Sequence, residues 1–146
     1  METAKARTLE ELGAVARTVA GSCEKKESAC VIGLTGELGA GKTAFVKELA
    51  KDLGVAHEIT SPTFVIMKSY PITKHPFLKT LTHIDAYRIE SDDEMRVLGF
   101  DAILGDKDRL VCIEWPEKIQ NILPEDILPV TLNITDGETR TITYGP

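Results

Sequence analysis

The 146-residue sequence contains no apolar run approaching the length of a membrane-spanning helix, and residues 1–22 lack the apolar stretch of a signal peptide. No membrane partner is expected, and the cytoplasm is the expected compartment. Cysteine is scarce. Cys23, Cys30 and Cys112 are odd in number and show no C-x-x-C spacing, which fits reduced thiols better than a disulfide framework or a zinc site. Basic residues are short as well: 17 Lys and Arg face 23 Asp and Glu, for a net charge of −6. A large nucleic-acid surface needs clustered Lys and Arg, so any involvement with nucleic acid is expected to run through a partner. There is no internal repeat, low-complexity tract or linker, and the length suits one domain over residues 1–146 with a single proper core.

Against these absences stands one dense motif. Gly36-Glu37-Leu38-Gly39-Ala40-Gly41-Lys42-Thr43 is a complete G-x-x-x-x-G-K-T phosphate-binding loop. Its glycines let successive backbone N–H groups turn toward phosphate oxygens. Lys42 is expected to reach the β- and γ-phosphates, and the Thr43 hydroxyl to bind Mg²⁺. The flanks agree. Ala29 to Leu34 reads as a buried strand, and apolar residues at 45, 46, 49, 50 and 53 have helical spacing closed by Gly54. Strand, loop and helix in that order are the setting the motif requires.

Elsewhere, Thr8-Leu9-Glu10-Glu11 has the form of a capping box opening a helix to about residue 20. Strands are expected over Phe64–Tyr70, Thr80–Tyr87 and Arg109–Trp115, with an exposed connection at Pro71–Pro76. A short helix capped by Ser91 runs to about Leu98, and another begins at Pro116. Val130–Thr135 and Thr139–Tyr144 flank Asp136-Gly137 as a terminal hairpin. The fold class is α/β: a P-loop NTPase-like sheet, parallel in its core, with antiparallel strands, a C-terminal hairpin and flanking helices.

A phosphate loop needs acids at the carboxyl ends of neighbouring strands. Glu114 ends the Leu110–Ile113 run and is the candidate metal acid; Asp85 ends the Leu81–Ile84 run and is the second candidate. Thr63, in the Ser61-Pro62-Thr63 loop, reads either as a turn residue or as a switch threonine reaching the γ-phosphate. His83 and Tyr87 alternate with Asp85, so all three can face one site, although a lone strand histidine is commonly structural. Arg88 reads as a charge stabiliser or a salt-bridge partner, and Trp115, the sole tryptophan, as packing beside the site.

Taken together, the phosphate loop, Ser61-Pro62-Thr63-Phe64, His83-Ile84-Asp85-Ala86-Tyr87-Arg88 and Ile113-Glu114-Trp115-Pro116-Glu117 resemble the TsaE family in order, spacing and wording, over about residues 8–145. That resemblance implies a partner-dependent ATPase using ATP and Mg²⁺. It implies in turn that such a protein supports the TsaB–TsaD pair in threonylcarbamoylation of adenosine 37 in tRNA, touching the tRNA only indirectly. It further implies that Gly36, Leu38, Gly39, Ala40, Gly41, Lys42 and Thr43 bind the nucleotide, with Thr8 lying beside it. By the same resemblance, Thr43 and Glu114 are expected to hold the metal, Asp85 to assist with metal or water, and Thr63 to be the switch threonine. The region from Phe64 to Leu81 is longer than the family's usual hairpin.

Two other readings stay open. A small-molecule kinase usually carries an arginine-bearing lid, whereas the arginines after the loop helix, at 88, 96, 109 and 140, are dispersed. A non-catalytic module would use ATP only to order a docking surface. The absence of an N/T-K-x-D guanine-reading motif leans toward ATP. Substitution Lys42→Ala is expected to abolish productive ATP binding, and unchanged affinity by calorimetry would contradict the phosphate-loop reading.

Overall fold

In the computed structural model, which describes residues 1–60 and 66–145, seven strands among the described residues form one mixed sheet. They are β1 (Glu2–Ala6), β2 (Cys30–Thr35), β3 (Met67–Pro71), β4 (Thr80–Asp85), β5 (Arg109–Glu114), β6 (Leu128–Asp136) and β7 (Thr139–Tyr144). Their spatial order is β1-β7-β6-β2-β5-β4-β3. The central strands β6, β2, β5 and β4 are mutually parallel, and the outer strands β7, β1 and β3 pair antiparallel. This is the expected class: a parallel core edged by antiparallel strands, with β6 and β7 as the terminal hairpin.

Burial on both faces explains why the central strands read as continuous apolar runs rather than alternating ones. The period of two is still present in what each residue touches. On β2, Cys30, Ile32 and Leu34 join one core; on β5, Leu110 and Cys112 join the same core. Their neighbours Val31, Val111 and Ile113 join a second core on the opposite face.

Helices α1 (Leu9–Ala20) and α2 (Lys42–Asp52) cover the first face. Leu12, Val15, Ala16 and Val19 from α1 meet Phe45, Val46 and Leu49 from α2 in that core. The α1 start follows its sequence: Thr8 Oγ1 accepts from the Glu11 backbone N–H at 3.1 Å, and Glu11 accepts from the Arg7 N–H at 3.1 Å. The second face is covered by α3 (Asp92–Val97), α4 (Phe100–Leu104) and a 3₁₀ run over Pro116–Ile122. Met95, Phe100 and Ile119 are its buried anchors. Ser91 and Glu94 form the capping box that opens α3.

Three departures from the sequence reading lie outside the cleft. Strand β1 was not expected; it pairs with β7 from Glu2↔Tyr144 to Ala6↔Arg140, and only Ala6 of its five residues is buried. An edge strand held by backbone pairing, with so little buried, carries almost no hydrophobic pattern. Helix α4 was also not expected: five residues behind Gly99, which takes φ 78°, are too few to display periodicity. Third, the reading of all three cysteines as free thiols is overturned. Cys23 and Cys30 are joined in a disulfide, their Cα atoms 5.8 Å apart, because the segment after α1 folds back onto the start of β2. Cys112 alone is free and buried, as expected. The odd count concealed a pair plus one core thiol.

The expected strand over Phe64–Tyr70 is described from Met67, and the Ser61-Pro62-Thr63 loop lies outside the described residues. Among the described residues no helix is long and apolar enough to cross a membrane. The Cys23–Cys30 bond, at a sequence separation of 7, closes a short loop, and that closure is worth about 2 kcal/mol in unfolded-chain entropy. Urea unfolding with and without a thiol reductant is expected to show a loss of that order, and identical midpoints would mean the pair is not bonded in solution.

Candidate nucleotide-binding site

The loop at 36–41 leaves the carboxyl end of β2 and feeds directly into α2, and its shape is imposed by its neighbours. A Cβ on Gly36 would stand 2.5 Å from the Leu132 carbonyl oxygen of β6 and 3.2 Å from the Ala40 methyl, so no side chain fits there. Gly39 and Gly41 take φ of 82° and 108°, in the left-handed region that favours glycine. Ala40 is buried in the first core and anchors the loop, while Leu38 projects outward, 81% exposed. The result is a narrow cradle entering a helix N-terminus, the geometry that receives phosphate.

Lys42 lies inside this cradle and is only 5% exposed. Its ammonium donates to the carbonyls of Gly36 and Glu37 and sits 4.1 Å from the centre of the Trp115 ring. Burial pushes its pKa below the ordinary lysine value, while the charges of Glu114, Glu117 and Asp85 pull it back up.

The two candidate acids stand side by side. Asp85 at the end of β4 is the register partner of Glu114 at the end of β5, which in turn pairs with Leu34 just before the loop. Glu114, 4% exposed, accepts from the Thr43 hydroxyl at 2.9 and 3.1 Å and lies 2.6 Å from His83 Nε2. Asp85 Oδ1 accepts from the Tyr87 backbone N–H at 3.0 Å and so also ends its strand. The adjacent Cys112 thiol is pushed upward by burial and by the charge of Glu114.

These groups open on a cleft of about 620 Å³, lined on one side by Leu38, Gly39, Gly41, Lys42 and Thr43, and on the other by Asp85, Glu114 and Trp115. Gly36 and Ala40 shape the loop from behind and do not line the cleft. Thr8 caps α1, is exposed, and is not among the lining residues. Thr63 lies outside the described residues.

The expectation that His83, Asp85 and Tyr87 share a strand face holds only for the first two, because β4 ends at Asp85. Tyr87 reaches the cleft from the following turn and packs on Trp115 with ring centroids 5.1 Å apart. Arg88 and Glu94 also line the cleft, and nothing in their spacing marked Glu94 beforehand. Trp115 takes φ 62°, uncommon for a bulky residue, and this turn brings its ring over Lys42.

Among the described residues no group of three or more His, Cys, Asp and Glu side chains is placed to hold a metal alone. A Mg²⁺ that arrives with a nucleotide does not require one, since it takes one or two protein oxygens and completes its shell with phosphate and water. The Thr43 hydroxyl and Glu114 carboxylate are hard oxygen donors of that kind, adjacent to the cradle.

The family model described as threonylcarbamoyl adenosine biosynthesis protein TsaE matches residues 6–142. The chain belongs to the TsaE family. The tRNA threonylcarbamoyladenosine biosynthesis protein TsaE of Bacillus subtilis strain 168 is 36% identical over 147 residues, covering 99% of this chain and 86% of that protein. The protein of the same description from Borreliella burgdorferi is 41% identical over 95 residues, covering 65% of this chain and 66% of that one. Among solved structures, the crystal structure of Bacillus subtilus YdiB superposes with a TM-score of 0.70 at 29% identity, covering 98% of this chain and 83% of that chain. The TsaE match runs from the end of β1 into β7, and so includes both the loop and the paired acids.

Because Trp115 is the only tryptophan, its emission reports on Lys42. ATP with Mg²⁺ is expected to alter that emission by drawing the ammonium toward phosphate, and Lys42→Met to remove most of the change. Emission insensitive to ATP, in protein shown by calorimetry to bind it, would contradict the contact.

Proposed function

We propose that this TsaE-family chain is a Mg²⁺-dependent ATPase that supports a TsaB–TsaD complex in threonylcarbamoylation of adenosine in tRNA. The observation that carries the reading is the bridge from Thr43, first turn of α2, to Glu114, last residue of β5. It joins the phosphate cradle to an acid at the carboxyl end of the neighbouring parallel strand, the arrangement that phosphoryl transfer uses.

In this reading the cradle's backbone N–H groups and the α2 N-terminus bind the β- and γ-phosphates. Lys42 exchanges the carbonyls of Gly36 and Glu37 for phosphate oxygens, which return to it the ion pairing that burial opposes. Thr43 and Glu114 would hold Mg²⁺, which would supply charge neutralisation for the phosphates when bound. Asp85, beside Glu114 and facing the cleft, orients the attacking water or takes its proton. Arg88 lines the cleft and is placed to meet charge that develops on the phosphate. Water attacks the γ-phosphorus, the bond to the ADP oxygen breaks, and ADP and phosphate leave.

The net charge of −6 supports an indirect relation to tRNA, with phosphate contacts supplied by the partner proteins. ATP turnover measured with TsaB, TsaD and tRNA is expected to exceed turnover by the chain alone. Under those conditions Glu114→Gln is expected to lose about 100-fold in rate, the scale for removing one charge-stabilising group. Full activity of that variant would contradict the metal assignment. Phosphorylation of a metabolite would favour a kinase, and full pathway activity with a hydrolysis-resistant ATP analogue would favour a binding module.

A further inference from the structure

His83 occupies an unusual place for a histidine. It sits in β4, one strand from the sheet edge, paired in register with Lys68 of β3 and Cys112 of β5, and is 0% exposed. Alternation along β4 puts it on the same face as Leu81, which belongs to the core under α1 and α2. The same alternation on β5 sets Glu114 on the face of Leu110 and Cys112. His83 and Glu114 are therefore diagonal neighbours across one parallel pair, close enough for side chains to touch.

The contact is specific. Nε2 lies 2.6 Å from Glu114 Oε2, an oxygen that also accepts from Thr43 at 2.9 Å. A carboxylate oxygen accepts, so Nε2 carries the hydrogen in either protonation state of the ring. The other ring nitrogen, Nδ1, is buried and has no hydrogen-bond partner among the described residues. An apolar side chain would fill this position without leaving a polar atom unsatisfied. The bond to Glu114 is the polar contact that offsets the burial of the ring.

We infer that His83 is a positioning residue: its buried Nε2–H fixes Glu114 Oε2 and holds the carboxylate so that both of its oxygens stay within reach of the Thr43 hydroxyl. This rests on the reading of Glu114 as the metal acid. Groups that orient a ligand from behind govern metal affinity without touching the metal, and their loss typically costs 10- to 100-fold.

The test uses two amides of different reach, since the amide nitrogen of Gln approximates Nε2 and that of Asn falls short of it. Calorimetry of ATP analogue binding, with Mg²⁺ and with chelator, gives the factor by which Mg²⁺ tightens the nucleotide. His83→Asn is expected to lower that factor at least tenfold and His83→Gln to keep it within about threefold of the parent. Affinity in chelator should stay unchanged in both variants. In nucleotide-free protein, proton NMR should show a slowly exchanging ring N–H that disappears in both variants and in Glu114→Ala. Equal Mg²⁺ factors in the Asn variant and the parent would overturn the inference while leaving Glu114 as metal acid, provided Glu114→Ala loses the factor. If Glu114→Ala keeps it, the assignment of Glu114 and the inference fall together. Should the Asn variant not fold, a ring N–H that survives Glu114→Ala overturns the inference by itself.

Discussion

The hydrogen bonds from the Thr43 hydroxyl to Glu114 tie together parts of the chain that sequence holds far apart. One end is the first turn of α2, fixed by the phosphate loop; the other is the last residue of a central parallel strand. A carboxylate taken this far out of water is costly unless donors surround it. Here they come from α2 through Thr43 and from β4 through His83. The loop, the central strands and the first core must all be in place before those donors converge, so the site is as cooperative as the fold.

The sheet performs the positioning. Parallel pairing of β2, β5 and β4 brings the loop, Glu114 and Asp85 to one edge in register. Beyond the ladder the chain continues to be pinned: the Trp115 N–H donates to the Leu34 carbonyl at 3.2 Å and the Ala86 N–H to the Glu114 carbonyl at 3.0 Å. These bonds steer the chain into the turn that sets Trp115 over Lys42. Leu132 of β6 walls the loop from the other side, so the strand next to β2 dictates a glycine at position 36.

Much of this was legible beforehand, for identifiable reasons. The loop has its own alphabet of glycines, Lys42 and Thr43, and β4 and β5 are runs that each close on an acid, Asp85 and Glu114. What escaped were features made by tertiary pairing. β1 owes its existence to β7, and α4 is too short to carry a period. The Cys23–Cys30 bond depends on how the segment after α1 returns to the sheet. His83 was visible as a residue but not as a partner, because its contact to Glu114 is diagonal between strands 31 residues apart. Tyr87 failed the alternation argument because Asp85 turns the chain two residues early.

The account stands on Glu114 serving as the metal-side acid of a nucleotide site. The most direct measurement is a crystal structure with a hydrolysis-resistant ATP analogue and Mn²⁺ in place of Mg²⁺, with the ion located by its anomalous scattering. The account predicts phosphates in the cradle at 36–43 and the ion at Thr43 Oγ1, held by Glu114 directly or through one water. An ion bound elsewhere, or phosphates outside the cradle, would contradict it.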